Sequence, residues 1–405
     1  MYSPNLIIRL GYLLAIIVPL IKNRELFPAA IICFLSVSRN TFAYPLLPTE
    51  GYYYTILSLL FASLVLFNDS KREFAAPKLL YGLILLYVFW VDIIAGHGIS
   101  RMTTTIFVCL LFFVCVGKNT KSSVYHLSLS FIIISLVLSY WVLFIPEAQI
   151  NVYNSVEGME QAGWTDPNYL GCVVGMGTIV AIQELLNKGK NVLYTVLLVL
   201  VMVLSIVALS KIASRGALLA VAVGTLSMVL LSKRSFASKL SVVALIAVVV
   251  YVMYNNDYFE LVIARVQNDA GTGTGRTEIW KEKLRAFTEE GTLAQWLFGY
   301  GQHNGIMLGN FGRARAFHND YVAVLVEYGI VGFILLISAF VNPVMMVSKQ
   351  KKSTIIAMLL YLMTCSLTVE PLTFGNLAYL GFYFYITQIA RDSRQVELYE
   401  NGTED

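Results

Sequence analysis

Thirteen apolar stretches, joined mostly by short basic turns, dominate this chain; they begin near Leu6, Leu26, Tyr53, Leu79, Met102, Val124, Asn168, Val192, Gly216, Leu240, Phe317, Thr354 and Phe374. A helix that crosses a bilayer needs about 20 predominantly apolar residues. Inside hydrocarbon every backbone N–H and C=O must be satisfied within the segment, which favours helices. The first two stretches are short and form either two spans or one re-entrant pair, so the expected count is 12 or 13 transmembrane helices. Apolar residues make up 57% of the chain and charged residues only 13%, well below the roughly 25% charge of a soluble chain. The fold class is therefore an all-α polytopic membrane protein.

The net charge of +4 gives no case for a nucleic-acid partner. All five cysteines (Cys33, Cys109, Cys115, Cys172 and Cys365) fall in apolar segments, as small core residues do. The N-terminus carries Arg9 within its first apolar run and no small-residue cleavage site, so it reads as a retained span.

Lysine and arginine in short loops set the orientation. One alternating set of turns holds Lys22/Arg24, Lys71/Arg72/Lys78, Lys118/Lys121, Lys188/Lys190, Lys233/Arg234/Lys239 and Lys349/Lys351/Lys352; with Arg391 and Arg394 it accounts for 17 of the 29 basic residues. That face is expected to be cytoplasmic. The opposite face then holds the acidic loop Glu147–Pro167 and one long polar insertion, Asn255 to Ala316. The expected division is residues 1–254 as transmembrane helices, 255–316 as an extracytoplasmic catalytic loop, 317–390 as further transmembrane helices and 391–405 as a cytoplasmic tail.

The insertion runs against the positive-inside bias, with Arg265, Arg276, Lys281, Lys283, Arg285, Arg313 and Arg315 in it, while Lys211 and Arg215 sit in a short turn on the same side. Such charge calls for an anionic partner. Lys281, Lys283 and Arg285 alternate with Glu278, Glu282, Glu289 and Glu290, which predicts a solvated helix face. Trp280, Leu284 and Phe287 would then lie on the membrane surface. Arg215 and Arg276 fall outside that explanation.

GTGTGR (Gly271–Arg276) is followed by a helix start expected at Thr277. Its glycines would let backbone amides face an anion, as a helix N-terminus also does; a plain flexible linker is the competing reading. SRGAL (Ser214–Leu218) puts Arg215 at the mouth of a span, either snorkelling to headgroups or clamping phosphate by paired hydrogen bonds. His318, in FHNDY, stands at an expected helix start, where the dipole disfavours imidazolium and leaves a neutral ring able to accept a proton. Asn319 and Asp320 would cap that helix or orient the ring, and Gly329 and Gly332 in EYGIVG suit close helix packing. In WTDPNYLG, Asp166 reads as an N-cap and Pro167 as the first helical residue, with Asn168 beside them. Trp164 and Tyr169 fit an interfacial aromatic belt better than a sugar-stacking site. No phosphate-binding Walker loop, HExxH, GxSxG, D-x-D pair or His/Cys cluster occurs, so metal-dependent and nucleotide-driven chemistry are disfavoured and no cofactor is expected.

In order, DPNYLG, SRGAL, GRTEIW, FGYG (Phe298–Gly301) and HNDYVAVLVEYGIVG resemble the O-antigen ligase and O-antigen polymerase family, most strongly from Trp164 to Gly332. The resemblance implies a GT-C type architecture and a metal-independent, inverting glycosyltransferase of the bacterial inner membrane, active on its periplasmic face. The implied donor is an undecaprenyl-diphosphate-linked oligosaccharide. The implied acceptor is a growing glycan or lipid A core, with a chain-length regulator as a further partner. By this resemblance Arg215 and Arg276 engage the carrier diphosphate and His318 activates the acceptor hydroxyl, with Asn319, Asp166 and Asn168 as supporting residues.

The DPNYLG form resembles capsule and exopolysaccharide polymerases, which favours polymerase over ligase. A transporter or flippase is the alternative from another class, but no internal repeat of the kind that builds transporters occurs.

Overall fold

The computed structural model describes residues 76–96, 121–144, 167–186, 191–233, 235–260, 262–263, 275–302, 304–309, 315–370 and 377–401. The expected spans near Leu6, Leu26, Tyr53 and Met102, and the site candidate Asp166, lie outside them. Among the described residues the elements are helices: α1 (Ala76–Ile94), α2 (Lys121–Phe144), α3 (Pro167–Leu186), α4 (Val192–Ile212), α5 (Arg215–Leu231), α6 (Phe236–Asn255), α7 (Arg276–Glu290), α8 (Leu293–Phe298), a 3-10 turn (Gly305–Met307), α9 (Asp320–Met346), α10 (Lys352–Thr368) and α11 (Leu377–Asn401). Five contain stretches long and apolar enough to cross a membrane: Leu127–Phe144, Asn168–Leu186, Val192–Ile212, Phe236–Asn255 and Asp320–Met346. Gly82–Ile94, Arg215–Leu231 and Lys352–Thr368 are shorter apolar helices. The all-α polytopic membrane fold read from the sequence is the one observed.

Successive helices run up and down, so their ends collect at two poles. The C-terminal ends of α3 and α9 and the N-terminal ends of α2 and α10 meet at one pole. There Ser348 N–H donates to Ser393 Oγ at 3.2 Å, and a cavity of about 290 Å³ opens among Ser128, Glu184, Lys351 and Asp392. At the other pole lie the N-terminal ends of α3, α5, α7 and α9 and the C-terminal ends of α4 and α10. The core between the poles is apolar and aromatic, with Phe131, Tyr361, Phe382 and Tyr385 all buried. The rings of Phe131 and Phe382 stand edge to face with centroids 5.1 Å apart.

Helix α4 ends where Ala213 adopts φ +52°. Ser214 then caps α5, its Oγ accepting from Ala217 N. Helix α5 packs most extensively on α10. This approach needs Gly216, because a Cβ there would lie 2.5 Å from Thr368 Oγ1 and 2.6 Å from its Cβ.

Helix α9 is broken nearer its N-terminal end. Gly329 has φ +66° and ψ −171°, a conformation open essentially to glycine alone. The break frees the carbonyls of Val326, Glu327 and Tyr328 from their helical partners. Tyr300 N–H and Gly301 N–H of the FGYG segment donate to the first two at 3.0 and 2.9 Å. The third accepts from Tyr87 Oη at 2.6 Å, so each of these three carbonyls has a partner. Close packing was the expected role of Gly329; the structure makes it the residue that bends the backbone, since any Cβ would also meet Leu297 O at 2.4 Å.

Helix α7 departs from its expected setting. It begins at Arg276 rather than Thr277, after Gly275 at φ +71°. Its apolar face does not lie on a membrane surface: Phe287 is buried with Phe317, Ala323 and Val326 of the chain itself. Its charged face is only partly solvated. Arg285 bridges Glu282 at 2.7 Å and Glu289 at 2.8 Å as the spacing predicts, whereas Lys283 is 0% exposed.

Candidate active site

The site is built where four helix ends meet the segment Thr368–Glu370, which leaves α10. Arg276, the first residue of α7, donates through Nη1 to the carbonyl of Thr368 at 2.8 Å. Gly216, next to Arg215, is the residue that abuts the Thr368 side chain. Arg276 and the residue that follows Arg215 thus both meet Thr368.

His318 reaches the same segment from α9. It is half-buried and sits at φ +51°, the left-handed region that histidine enters more often than most non-glycine residues. Its backbone N–H donates to Glu370 Oε1. Asn319 follows as the N-cap: its Oδ1 accepts from Tyr321 N at 2.9 Å and Val322 N at 3.2 Å, the capping role expected for it. Asp320 is buried and accepts from Ser366 Oγ at 2.8 Å, so it ties α9 to α10 rather than capping.

Asn168 joins from α3, where Ser214 Oγ donates to its Oδ1 at 2.9 Å. Pro167 opens that helix as expected. Tyr169 was expected in an aromatic belt, but its hydroxyl donates to Glu370 O at 3.1 Å. The ring is held by the protein because the pole places a carbonyl within its reach. The structure therefore brings Asn168, Arg215, Arg276, His318 and Asn319 to one pole of the bundle.

Two further residues belong here that sequence reasoning did not single out. Glu370 is 2% exposed. Burial pushes its carboxyl up from 4.5 to about 9; Asp320 and Glu327 raise it further, against backbone hydrogen bonding from Asn319 and the charge of Arg276. At neutral pH it holds a proton. A lone acid just past an apolar stretch was the available signal. Lys283 is the other, with Nζ donating to Gly305 O at 2.8 Å and Ile306 O at 2.6 Å. Burial pulls its amine down to about 8, against the charge of Glu327.

Among the described residues, no group of three His, Cys, Asp or Glu side chains could hold a metal ion. The pole brings together two arginines, a histidine and a buried carboxyl. That combination suits an anionic phosphorylated substrate and proton transfer at a hydroxyl.

Fold and site together define a polytopic membrane protein whose polar chemistry is concentrated at one pole of a helical bundle. Residues 198–337 match the family model described as O-Antigen ligase. The match runs from within α4 into α9 and includes Arg215, Arg276 and His318, so this part of the chain is similar to that family. No curated protein matches the chain.

Proposed function

We propose that this protein is a metal-independent, inverting glycosyltransferase that polymerises oligosaccharide repeat units carried on a polyprenyl diphosphate, at the outer face of the bacterial inner membrane. The observation that carries this reading is the anchoring of Arg276, the Arg215 turn and His318 on Thr368–Glu370. His318 takes the proton of an acceptor hydroxyl. The hydroxyl oxygen forms a bond to the anomeric carbon of the donor as the carbon–oxygen bond to the diphosphate breaks. Arg215 and Arg276 hold the departing diphosphate, whose charge develops as that bond lengthens. The donor is already activated, so the reaction calls on no nucleotide. Helix α7, within the polar insertion, forms one wall of this site in the proposal.

A ligase that moves finished glycan onto lipid A core is the second reading, favoured by the description of the matching family. Purified protein supplied with lipid-linked repeat units separates the two. A ladder of products supports polymerisation, and a single transfer to lipid A core rules it out. Flux of the lipid-linked glycan across empty liposomes, with no new glycosidic bond, would overturn both in favour of a flippase.

A further inference from the structure

We propose that Trp280 and Lys283 are positioning residues for His318, gripping the preceding residue, Phe317, from one face of α7. The proposal rests on His318 acting as the base described above. Arg276, Trp280, Lys283 and Phe287 follow one another at intervals of four, three and four residues, which places them on a single helix stripe. That stripe faces the start of α9. Trp280 Nε1 donates to the Phe317 carbonyl at 2.6 Å. Lys283 Nζ stands 5.1 Å from the centre of the Phe317 ring.

The turn that Lys283 also holds packs against the tip of the ring. A Cβ on Gly305 would come within 2.8 Å of Phe317 Cζ, and the Gly305 and Ile306 carbonyls are the acceptors of the Lys283 amine. Phe317 is left 1% exposed. An apolar side chain would fill the Lys283 position without the cost of burying an amine. A lysine kept there secures both the turn and the ring between them.

This grip matters because of the backbone that follows. His318 is held at φ +51°, where L-residues carry strain unless their neighbours impose it. Phe317 fixes it on one side; Asn319 and Glu370 fix it on the other. Releasing Phe317 lets the backbone relax and moves the imidazole. Because α7 also begins with Arg276, a single helix sets both the diphosphate arginine and the carriage of the base.

The test uses full-length protein in detergent, with lipid-linked glycan isolated from cells deleted for this gene as donor. Trp280→Phe keeps an aromatic ring and removes the N–H donor together with part of the indole. It is expected to lower kcat by about 10- to 100-fold while donor KM stays within about threefold. Lys283→Met is expected to give the same split, and if it fails to fold, Trp280→Phe decides alone. An unchanged kcat in folded Trp280→Phe, or a rise in KM matching that of Arg276→Ala, overturns the proposal. His318→Asn keeps its failure apart from that of the functional reading. Full activity there removes the base itself, whereas inactive His318→Asn beside fully active Trp280→Phe removes only the grip.

Discussion

Arg276 and Thr368, 92 residues apart in sequence, are joined by a hydrogen bond of 2.8 Å from guanidinium to carbonyl. The acceptor is a backbone atom at the C-terminal end of α10, where helical carbonyls lack partners within the helix. A guanidinium is suited to this because its planar fork can grip a carbonyl and still present further donors in fixed directions. Lysine has the charge without the fork. Arg276→Lys is therefore expected to bind the lipid-linked donor more weakly than wild type, and Arg276→Ala more weakly still with lower turnover. Donor KM and kcat for the two variants check this; equal KM values for Arg276→Lys and wild type would contradict it.

The contact of Gly216 with Thr368 makes a reciprocal prediction. Gly216→Ala forces α5 away from α10, since the added Cβ would lie 2.6 Å from Thr368 Cβ. Arg215 moves with it, and donor binding should weaken by about tenfold, a cost of roughly 1.4 kcal/mol. Thr368→Gly in the same protein removes the obstructing side chain but keeps the carbonyl that holds Arg276. Recovery of donor binding in the double variant supports steric spacing; no recovery would show that Gly216 serves some other purpose.

His318→Asn is a cleaner removal of the base than alanine, because asparagine tolerates the left-handed backbone seen at this position. Transfer should fall by about 10²- to 10⁴-fold, the usual contribution of a general base, with donor binding retained. Single-turnover transfer and donor binding, measured on the same preparation, test both halves of the statement.

Glu370 gives a pH prediction with a definite sign. The unfolded chain releases this proton near 4.5 and the folded protein near 9. Between those values the folded state binds more protons, so the stabilising contribution is complete below the lower one, shrinks as pH rises and is gone above the upper one. Glu370→Gln mimics the protonated carboxyl and keeps a carbonyl acceptor for the His318 N–H. Thermal unfolding from about pH 5 to about pH 9 should show wild type losing stability more steeply than Glu370→Gln. Parallel curves would count against a proton held at Glu370.

The parts of this protein legible in sequence are those with a local cause. Apolar length marked the spans among the described residues, and Asn319 announced a helix start. Arg215, Arg276 and His318 stood out because each interrupts a pattern. Glu370, Lys283 and Tyr169 did not, because their roles depend on which distant element arrives beside them. Lys283 is the sharpest case. Its neighbours Glu282 and Arg285 do form the expected surface pairs, and only its register on the helix, in line with Trp280 and Phe287, turns it inward. The break in α9 was equally hidden, since glycines at Gly329 and Gly332 also suit plain close packing.

That break yields the last prediction. Gly299 and Gly329 lie across from each other with φ of +82° and +66°. Each would drive a Cβ into the other's strand of backbone: Gly299 into Glu327 O at 2.2 Å, Gly329 into Leu297 O at 2.4 Å. Alanine at either position meets both a forbidden backbone and a collision with rigid backbone atoms. The backbone term alone is about 1–3 kcal/mol. Relief would require the FGYG segment to lift off, stranding the Val326 and Glu327 carbonyls that Tyr300 and Gly301 now satisfy. Gly329→Ala and Gly299→Ala should each lower the thermal midpoint. Because they break one junction, the double variant should lose less than the sum of the two. Gly332→Ala offers the contrast, since Gly332 lies outside the positive-φ glycines and its added Cβ would meet the Tyr328 side chain, at 2.4 Å, rather than backbone. A milder loss is expected there, and equal losses at Gly329 and Gly332 would mean that the backbone break is not what these glycines protect.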